Sequence, residues 1–486
     1  MQSLLRFFGR TPARNVGTSA LRGLASNFAE KRPLCLLLVF SVAFSLFAQT
    51  IFFETVWDDT DLIDNAVGSF KEGGFSSIVK SRFDLKSEEG NVFYRPAVLL
   101  SLVVDSMIKP YFKQSHHFTN VVLHSCNSAL VYVMLALLTG SAGGALTGGL
   151  FFAVTPIHVE AVAFISSRGD LLATFFSLFA VITLMMQWRS GSSSSILALS
   201  SISFLLACLS KEVSYLLPVV MLALESLLHV RKDTTGHGKR FNWVLPWALA
   251  FAVVVVLRLG VAGIATNTKV APQTVQIARS LMGTILLTYL KLLVVPWPLN
   301  PSYLPVNIKL TFGVVAGSAS FLVFSILAFL KNWRVGIVII GWTSIFLLPV
   351  SWIIPAQGLM FMADRYLYLP SVSVAILVAS FWLGFETHKE FRRVLLALFV
   401  PIGFLMIAGS HQGAKAWKND IALYSAMTET SPRFSFPHYN LAIAYEKNKE
   451  YTKALEAYRR AGALKPPIPE IPAAIRRLQS MLGNDP

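Results

Sequence analysis

Apolar residues gather in long blocks and not at a helical or strand period. One run covers 34–53. Others lie near 118–138, 142–157, 169–188, 195–210, 213–230, 242–261, 273–295, 311–330, 335–354, 366–386 and 393–410. A helix needs about 20 apolar residues to cross a bilayer, and these twelve runs approach that length, with 142–157 and 195–210 short. They predict an all-α fold, a polytopic membrane helix bundle. Residues 94–108, YRPAVLLSLVVDSMI, are apolar but short and interrupted by Asp105, which predicts a helix lying on the membrane surface. Beyond 410 the pattern turns polar and helical. The expected organisation is therefore a basic tail at 1–33, a polytopic domain at 34–410 with an external loop at 54–117, and a separate helical tail at 411–486.

Composition agrees. Apolar residues make up 54% of the 486 and charged residues 14%, against a usual charged share of about 25%, so too little polar surface remains to cover several soluble cores. Lysine and arginine exceed the acids by 42 − 26, a net charge of +16. The excess sits in short links between apolar runs. That arrangement reports orientation and not the basic stripe of a nucleic-acid binder. Cys35, Cys126 and Cys208 all fall inside apolar runs, where packing is the reading and neither a metal site nor a disulfide framework is expected.

Orientation follows from the same charges. Arg6, Arg10, Arg14, Arg22, Lys31 and Arg32 precede the first run and read as a cytoplasmic tail; a transit peptide is the alternative. Strict alternation of twelve spans would then put Lys331/Arg334 and Lys389/Arg392/Arg393 outside, breaking the positive-inside rule twice. The run 273–295 carries Arg279 and Lys291 and ends in Pro296-Trp297-Pro298. Reading it as a re-entrant or interfacial helix returns both clusters inside, leaves about eleven spans and places the C-terminus outside. Arg258 makes 242–261 the other candidate. The basic links at 231–240, 331–334 and 387–393 are then cytoplasmic.

The external face collects the chemistry. Glu54, Asp58, Asp59, Asp61 and Asp64 surround Trp57 just after the first run. Carboxylates at the lipid boundary are costly to desolvate and mark a solvated cavity or a site; an acidic loop capping a short helix is the plainer reading. Asp59-Thr60-Asp61 also spells D-x-D, a metal-binding signature in soluble sugar transferases, but the strand it follows there has no counterpart here. On the same face lie His158 and Glu160, Arg168 and Asp170, Lys211-Glu212, Tyr303, and Asp364-Arg365. Lys211/Glu212 and Asp364/Arg365 could be self-neutralising turns. Their convergence on one face suits an anionic, lipid-linked substrate, because Arg grips phosphate with a planar fork and Lys as a point charge.

The tail fits one tetratricopeptide repeat over 435–468. Ala442, Ala454 and Ala461 are the small residues at which two helices approach, and Tyr445 and Tyr458 fill between them, while His438 stands where Trp is usual. Trp417, Leu423, Tyr424 and Pro432 look like the second half of a preceding repeat, and 473–482 supplies a capping helix. So short an array must dock on the membrane domain or on a partner.

Trp57-Asp58-Asp59, Tyr94-Arg95-Pro96, His117-Phe118-x-Asn120-x-x-x-His124, Pro156-Ile157-His158-x-Glu160, Ser210-Lys211-Glu212 and Arg365-Tyr366-Leu367-Tyr368-Leu369-Pro370 follow one another from about 54 to the repeat. In this order they resemble the transmembrane and tetratricopeptide repeat-containing O-mannosyltransferases of the C-type glycosyltransferase superfamily. The resemblance implies a membrane glycosyltransferase that moves a sugar, mannose in the family, from a polyprenyl-phosphate donor to an acceptor hydroxyl, a protein Ser or Thr, by an inverting transfer on the lumenal or periplasmic face. The short array and the lack of an N-x-[ST] sequon point to a bacterial inner membrane; the endoplasmic reticulum is the alternative. Asp58 or Asp59, with a slight preference for Asp59, would be the base. Arg365, Lys211 and Arg168 would hold the donor phosphate. His158, Glu160, Arg95, Glu212 and Tyr303 would position acceptor or sugar. No cofactor or divalent metal is required, since the phosphate already carries its charge. The expected partners are the lipid-linked sugar, an acceptor polypeptide held by the tail and membrane lipid, with no nucleic acid. A transporter would instead carry ionisable groups at mid-depth of its spans, and a scaffold would need no acidic pair beside the first span.

Overall fold

The computed structural model describes residues 18–81, 83–84, 92–108, 114–190, 194–229, 241–261, 272–303, 308–351, 362–385 and 389–483. The basic loop at 231–240 and part of the link at 387–393 lie outside these residues. The chain is an all-α, multi-pass membrane protein with a helical C-terminal tail. Among the described residues, eight helices are long and apolar enough to cross a bilayer: Pro33–Phe52, Gln114–Thr139, Ile165–Trp188, Val244–Val261, Val275–Val294, Phe312–Lys331, Trp333–Val350 and Arg393–Trp417. Their outward faces are rich in exposed Leu, Val, Ile and Phe, as lipid contact demands.

Two features depart from the sequence reading. The helix Pro272–Val294 runs unbroken and packs along Phe312–Lys331, so it has no re-entrant turn, and of the two expected placements the interfacial one is left. The break lies elsewhere: Ala142–Val154 and Pro156–Ala163 meet at 51°. Pro156 causes it, because proline disfavours helical geometry at the residue before it, and Thr155 is extended, at φ −66° and ψ 129°. Pro96–Ile108, Ser194–Cys208 and Val372–Phe385 are shorter apolar helices.

Small residues set the helix spacing. A Cβ on Gly148 would lie 2.6 Å from the Ala375 carbonyl oxygen, and one on Gly144 3.1 Å from that of Ala379. This GxxxG stripe brings Ala142–Val154 against Val372–Phe385 at backbone contact, the way helices associate where lipid removes the hydrophobic driving force. The surface helix Pro96–Ile108 covers Asp59–Lys80, burying Val98, Leu99, Leu102 and Val103 against Leu62, Ala66 and Ile78.

The tail comprises Asp420–Thr430, Ser435–Lys447, Tyr451–Gly462 and Ile471–Met481. Ala442, Ala454 and Ala461 are fully buried where the second and third of these helices pack together, and the last, Ile471–Met481, packs on them within two residues of the expected 473–482. The tail rests on the bundle. Glu54 N–H donates to the Lys418 carbonyl at 3.0 Å, and the rings of Phe164 and Trp417 lie 5.2 Å apart.

Candidate active site at the bundle–tail junction

The site forms where helix ends meet. Glu54 to Asp59 leave the first span and enter Asp59–Lys80. Glu160 lies in the bent segment, Lys211 in the turn before Leu217–His229, and Arg365 in the 3₁₀ turn Asp364–Leu367.

Asp59 and Asp58 diverge. Asp59 is fully buried. One of its oxygens accepts from Val56 N–H at 3.1 Å, and the other from both the backbone N–H and the hydroxyl of Ser166 at 2.8 Å. Burial pushes it up to about 7 against those hydrogen bonds. It is a latch between the first loop and the segment before Arg168. A carboxylate whose two oxygens already serve three donors fits neither a metal ligand nor a base facing substrate, which removes the physical case for preferring Asp59 and for the D-x-D reading. Among the described residues no three His, Cys, Asp or Glu side chains gather as a metal site. Asp58, half-buried, has no such clamp. Burial lifts it to about 6, opposed by the facing Arg365 and reinforced by Asp61.

Two cations share Tyr366, with a third nearby. Lys211 Nζ and the Arg365 guanidinium each lie 5.1 Å from its ring, and Arg95 is close enough to repel Lys211. Each cation has its own carboxylate. Lys211 donates to both Asp170 oxygens at 2.6 Å, and Arg95 grips Glu212 at 2.8 and 3.1 Å. Glu160 holds Arg365 twice, through the guanidinium and through its backbone N–H at 3.0 Å. Burial pulls Lys211 below its usual range, with Arg95 and Arg365 adding repulsion against Asp170. Burial works against ionised Glu212, but Arg95 prevails and holds it low. Among the described residues Arg365 uses only Nη1 of its guanidinium in hydrogen bonding, so donors remain for an incoming oxyanion.

The other expected residues sit differently. Arg168 is fully buried: Asn120, Ser101 and the His116 carbonyl accept from it at 2.7–3.2 Å, and Asp105 pairs with it at 2.6 Å. It ties the surface helix to the bundle and offers nothing to a phosphate. His158 is also fully buried, sharing a hydrogen bond with Ser371 at 2.9 Å and packed on Phe152 and Tyr368. Both belong to the scaffold and not to the substrate surface. Tyr303 donates to Asp364 at 2.7 Å, and burial, with Glu160 alongside, raises Asp364 to about 8. Arg95 and Glu212 meet as a pair instead of acting singly.

Sequence reasoning placed Asp170 on this face without giving it a role, and did not single out Phe164 or Asp420. Phe164 is the platform: Trp57 stacks on it at 5.8 Å, and Arg365 lies 5.9 Å above its ring. A cavity of about 170 Å³ opens beside it, lined by Glu160, Asp364, Leu299 and Trp417 on one side and Glu429 and Thr430 of the tail on the other.

No family model matches the chain. Curated relatives do. A protein O-mannosyl-transferase of Caenorhabditis elegans is 24% identical over 87% of this chain and 62% of its own length. The Homo sapiens protein O-mannosyl-transferase TMTC3 is 24% identical over 88% of this chain and 51% of its own. A shorter stretch, 40% of this chain, is 30% identical to a protein O-mannosyl-transferase of Drosophila melanogaster. The chain thus spans about three-fifths of the first of these relatives and half of the second. Among solved structures, the oligosaccharyltransferase of Archaeoglobus fulgidus is similar at a TM-score of 0.43 and 11% identity, covering 90% of this chain and 59% of that one. Over most of its length the chain is similar in sequence to the protein O-mannosyl-transferases, the family that its ordered motifs resemble.

Proposed function

We propose that the chain is a membrane glycosyltransferase that moves mannose from a polyprenyl-phosphate donor to a Ser or Thr hydroxyl of a polypeptide. The observation that carries this is one carboxylate, Asp58, within electrostatic reach of Arg365, which is itself held by Glu160 and shares the Tyr366 ring with Lys211. That is a base next to a seat for a leaving phosphate. Asp58 accepts the hydroxyl proton and the oxygen attacks the anomeric carbon. The bond from that carbon to the phosphate oxygen breaks, and its electron pair leaves with the lipid phosphate, which Arg365 and Lys211 stabilise. In-line displacement inverts the anomeric centre. General-base help is worth about 10²–10⁴-fold, and stabilisation of the leaving charge can match it. The relatives' names supply the sugar and the protein acceptor. The acceptor reaches the site through the cavity between Glu160 and the tail helix Asp420–Thr430. The tetratricopeptide-like pattern of the tail suits a peptide-binding role.

The decisive test is purified protein with defined polyprenyl-phosphate sugars and a Ser/Thr peptide. Mannose transfer with inverted configuration is expected. Glucose-specific transfer would change the donor, and transfer to lipid but not peptide would change the acceptor.

The site face is extracytoplasmic in this reading, with about eleven spans, in a bacterial inner membrane or the endoplasmic reticulum. Glu54, Glu212, Arg365 and Lys418 mark that end of the bundle. Lys331, 5.4 Å from the Phe385 ring, marks the other, consistent with positive charge inside. Reporter fusions after 333 and 470 should report opposite sides; the same side at both positions would refute this topology.

A further inference from the structure

We infer that Asp420, on the tail, is a positioning residue that sets the geometry of Asp58; this rests on the proposed glycosyl transfer. Trp57 has φ +52°, a left-handed conformation that a bulky residue adopts only under constraint. The constraint comes from across the chain. Trp57 N–H donates to Asp420 Oδ1 at 3.0 Å, and Glu54 N–H to the Lys418 carbonyl at 3.0 Å. The Trp57 ring sits between Phe164 at 5.8 Å and Phe436 of the tail at 6.4 Å. The residue after this strained turn is Asp58. One turn beyond Asp420, the buried Tyr424 faces Asp58, whose charge, after burial and Asp420, helps keep the phenol protonated. The tail therefore does more than recognise an acceptor: it supplies the wall of the catalytic loop. The second oxygen of Asp420 lies 3.6 Å from Lys447 Nζ, which orients the carboxylate without reaching the loop.

Asn keeps an acceptor oxygen for Trp57 N–H, and Ala does not. The full-length wild type, Asp420→Asn, Asp420→Ala and Lys447→Ala would be compared by turnover and by hydrogen exchange of the segment 53–61. Misplacement of a catalytic group by about 1 Å can cost on the order of 10²-fold. Asp420→Ala should lose turnover by about 10–10²-fold with donor KM unchanged. It should also speed exchange at the Trp57 amide and displace the acid limb that Asp58 sets. Asp420→Asn and Lys447→Ala should stay near wild type in all of these. Wild-type exchange at Trp57 in Asp420→Ala overturns the inference whatever the activity, as does wild-type turnover in that variant or a loss in Asp420→Asn equal to that in Asp420→Ala. A wild-type chain that transfers nothing while its Trp57 exchange responds to Asp420→Ala would instead refute the transfer reading and, with it, the positioning role, leaving a structural clasp.

Discussion

Asp58→Asn should abolish most transfer, by about 10² or more, while the protein still folds. Asparagine preserves shape at a half-buried position whose side chain is held by no hydrogen bond among the described residues, but it cannot accept the acceptor's proton. The pH profile of the wild type should identify the same group. Asp58 is lifted to about 6 by burial, and a base works only when deprotonated. Rate should therefore climb as pH rises through about 6 and fall away below it, and that limb should vanish from the residual activity of Asp58→Asn. Asp59→Asn makes the contrast. Its amide nitrogen would be turned towards either Val56 N–H or the Ser166 donors, so a donor meets a donor inside a closed site. That variant should lose thermal stability or yield first and activity as a consequence. If Asp58→Asn kept wild-type rates, the first loop would not supply the base.

The second large effect is expected at Arg365. Glu160 holds it through both backbone and side chain. One face of the guanidinium is therefore committed, and the rest remains for phosphate. A lysine offers one ammonium, which must choose between Glu160 and the substrate. Arg365→Lys should lower turnover by about 10–10², with expression and topology unchanged, because the backbone contact to Glu160 survives. A membrane anchor would accept the exchange, so wild-type turnover in Arg365→Lys would return the residue to that role.

How much of this was legible follows from how local each feature is. Spans such as 114–139 and 312–331 announce themselves, since an apolar run against lipid needs no knowledge of its neighbours. The convergence of Asp58, Glu160, Lys211 and Arg365 on one face could be read from alternation once the positive-inside rule had corrected the span count. Side-chain direction could not. Asp58 and Asp59 are adjacent and chemically alike, yet a helix start sends one inward onto Ser166 and leaves the other facing Arg365. Arg168 looked as suited to phosphate as Arg365, and only its burial among Asn120, Ser101 and Asp105 shows that it faces the scaffold. Pro156 was visible, but the sequence let it end a span where the structure bends one. Asp420 reads as an ordinary first-turn acid of a polar helix, and nothing near it in sequence hints at Trp57.

The clasp joins Trp57 to Asp420, 363 positions further along the chain. Synthesis proceeds at about 5–20 residues per second, so the acidic loop leaves the ribosome roughly 20–70 seconds before the residue that fastens it. Through that interval the membrane helices can insert and pack while the reactive turn stays unfastened. On the proposed transfer, a nascent chain would hold its catalytic turn unfastened until the tail exists, and a product of premature termination before 420 would be inserted with its turnover reduced.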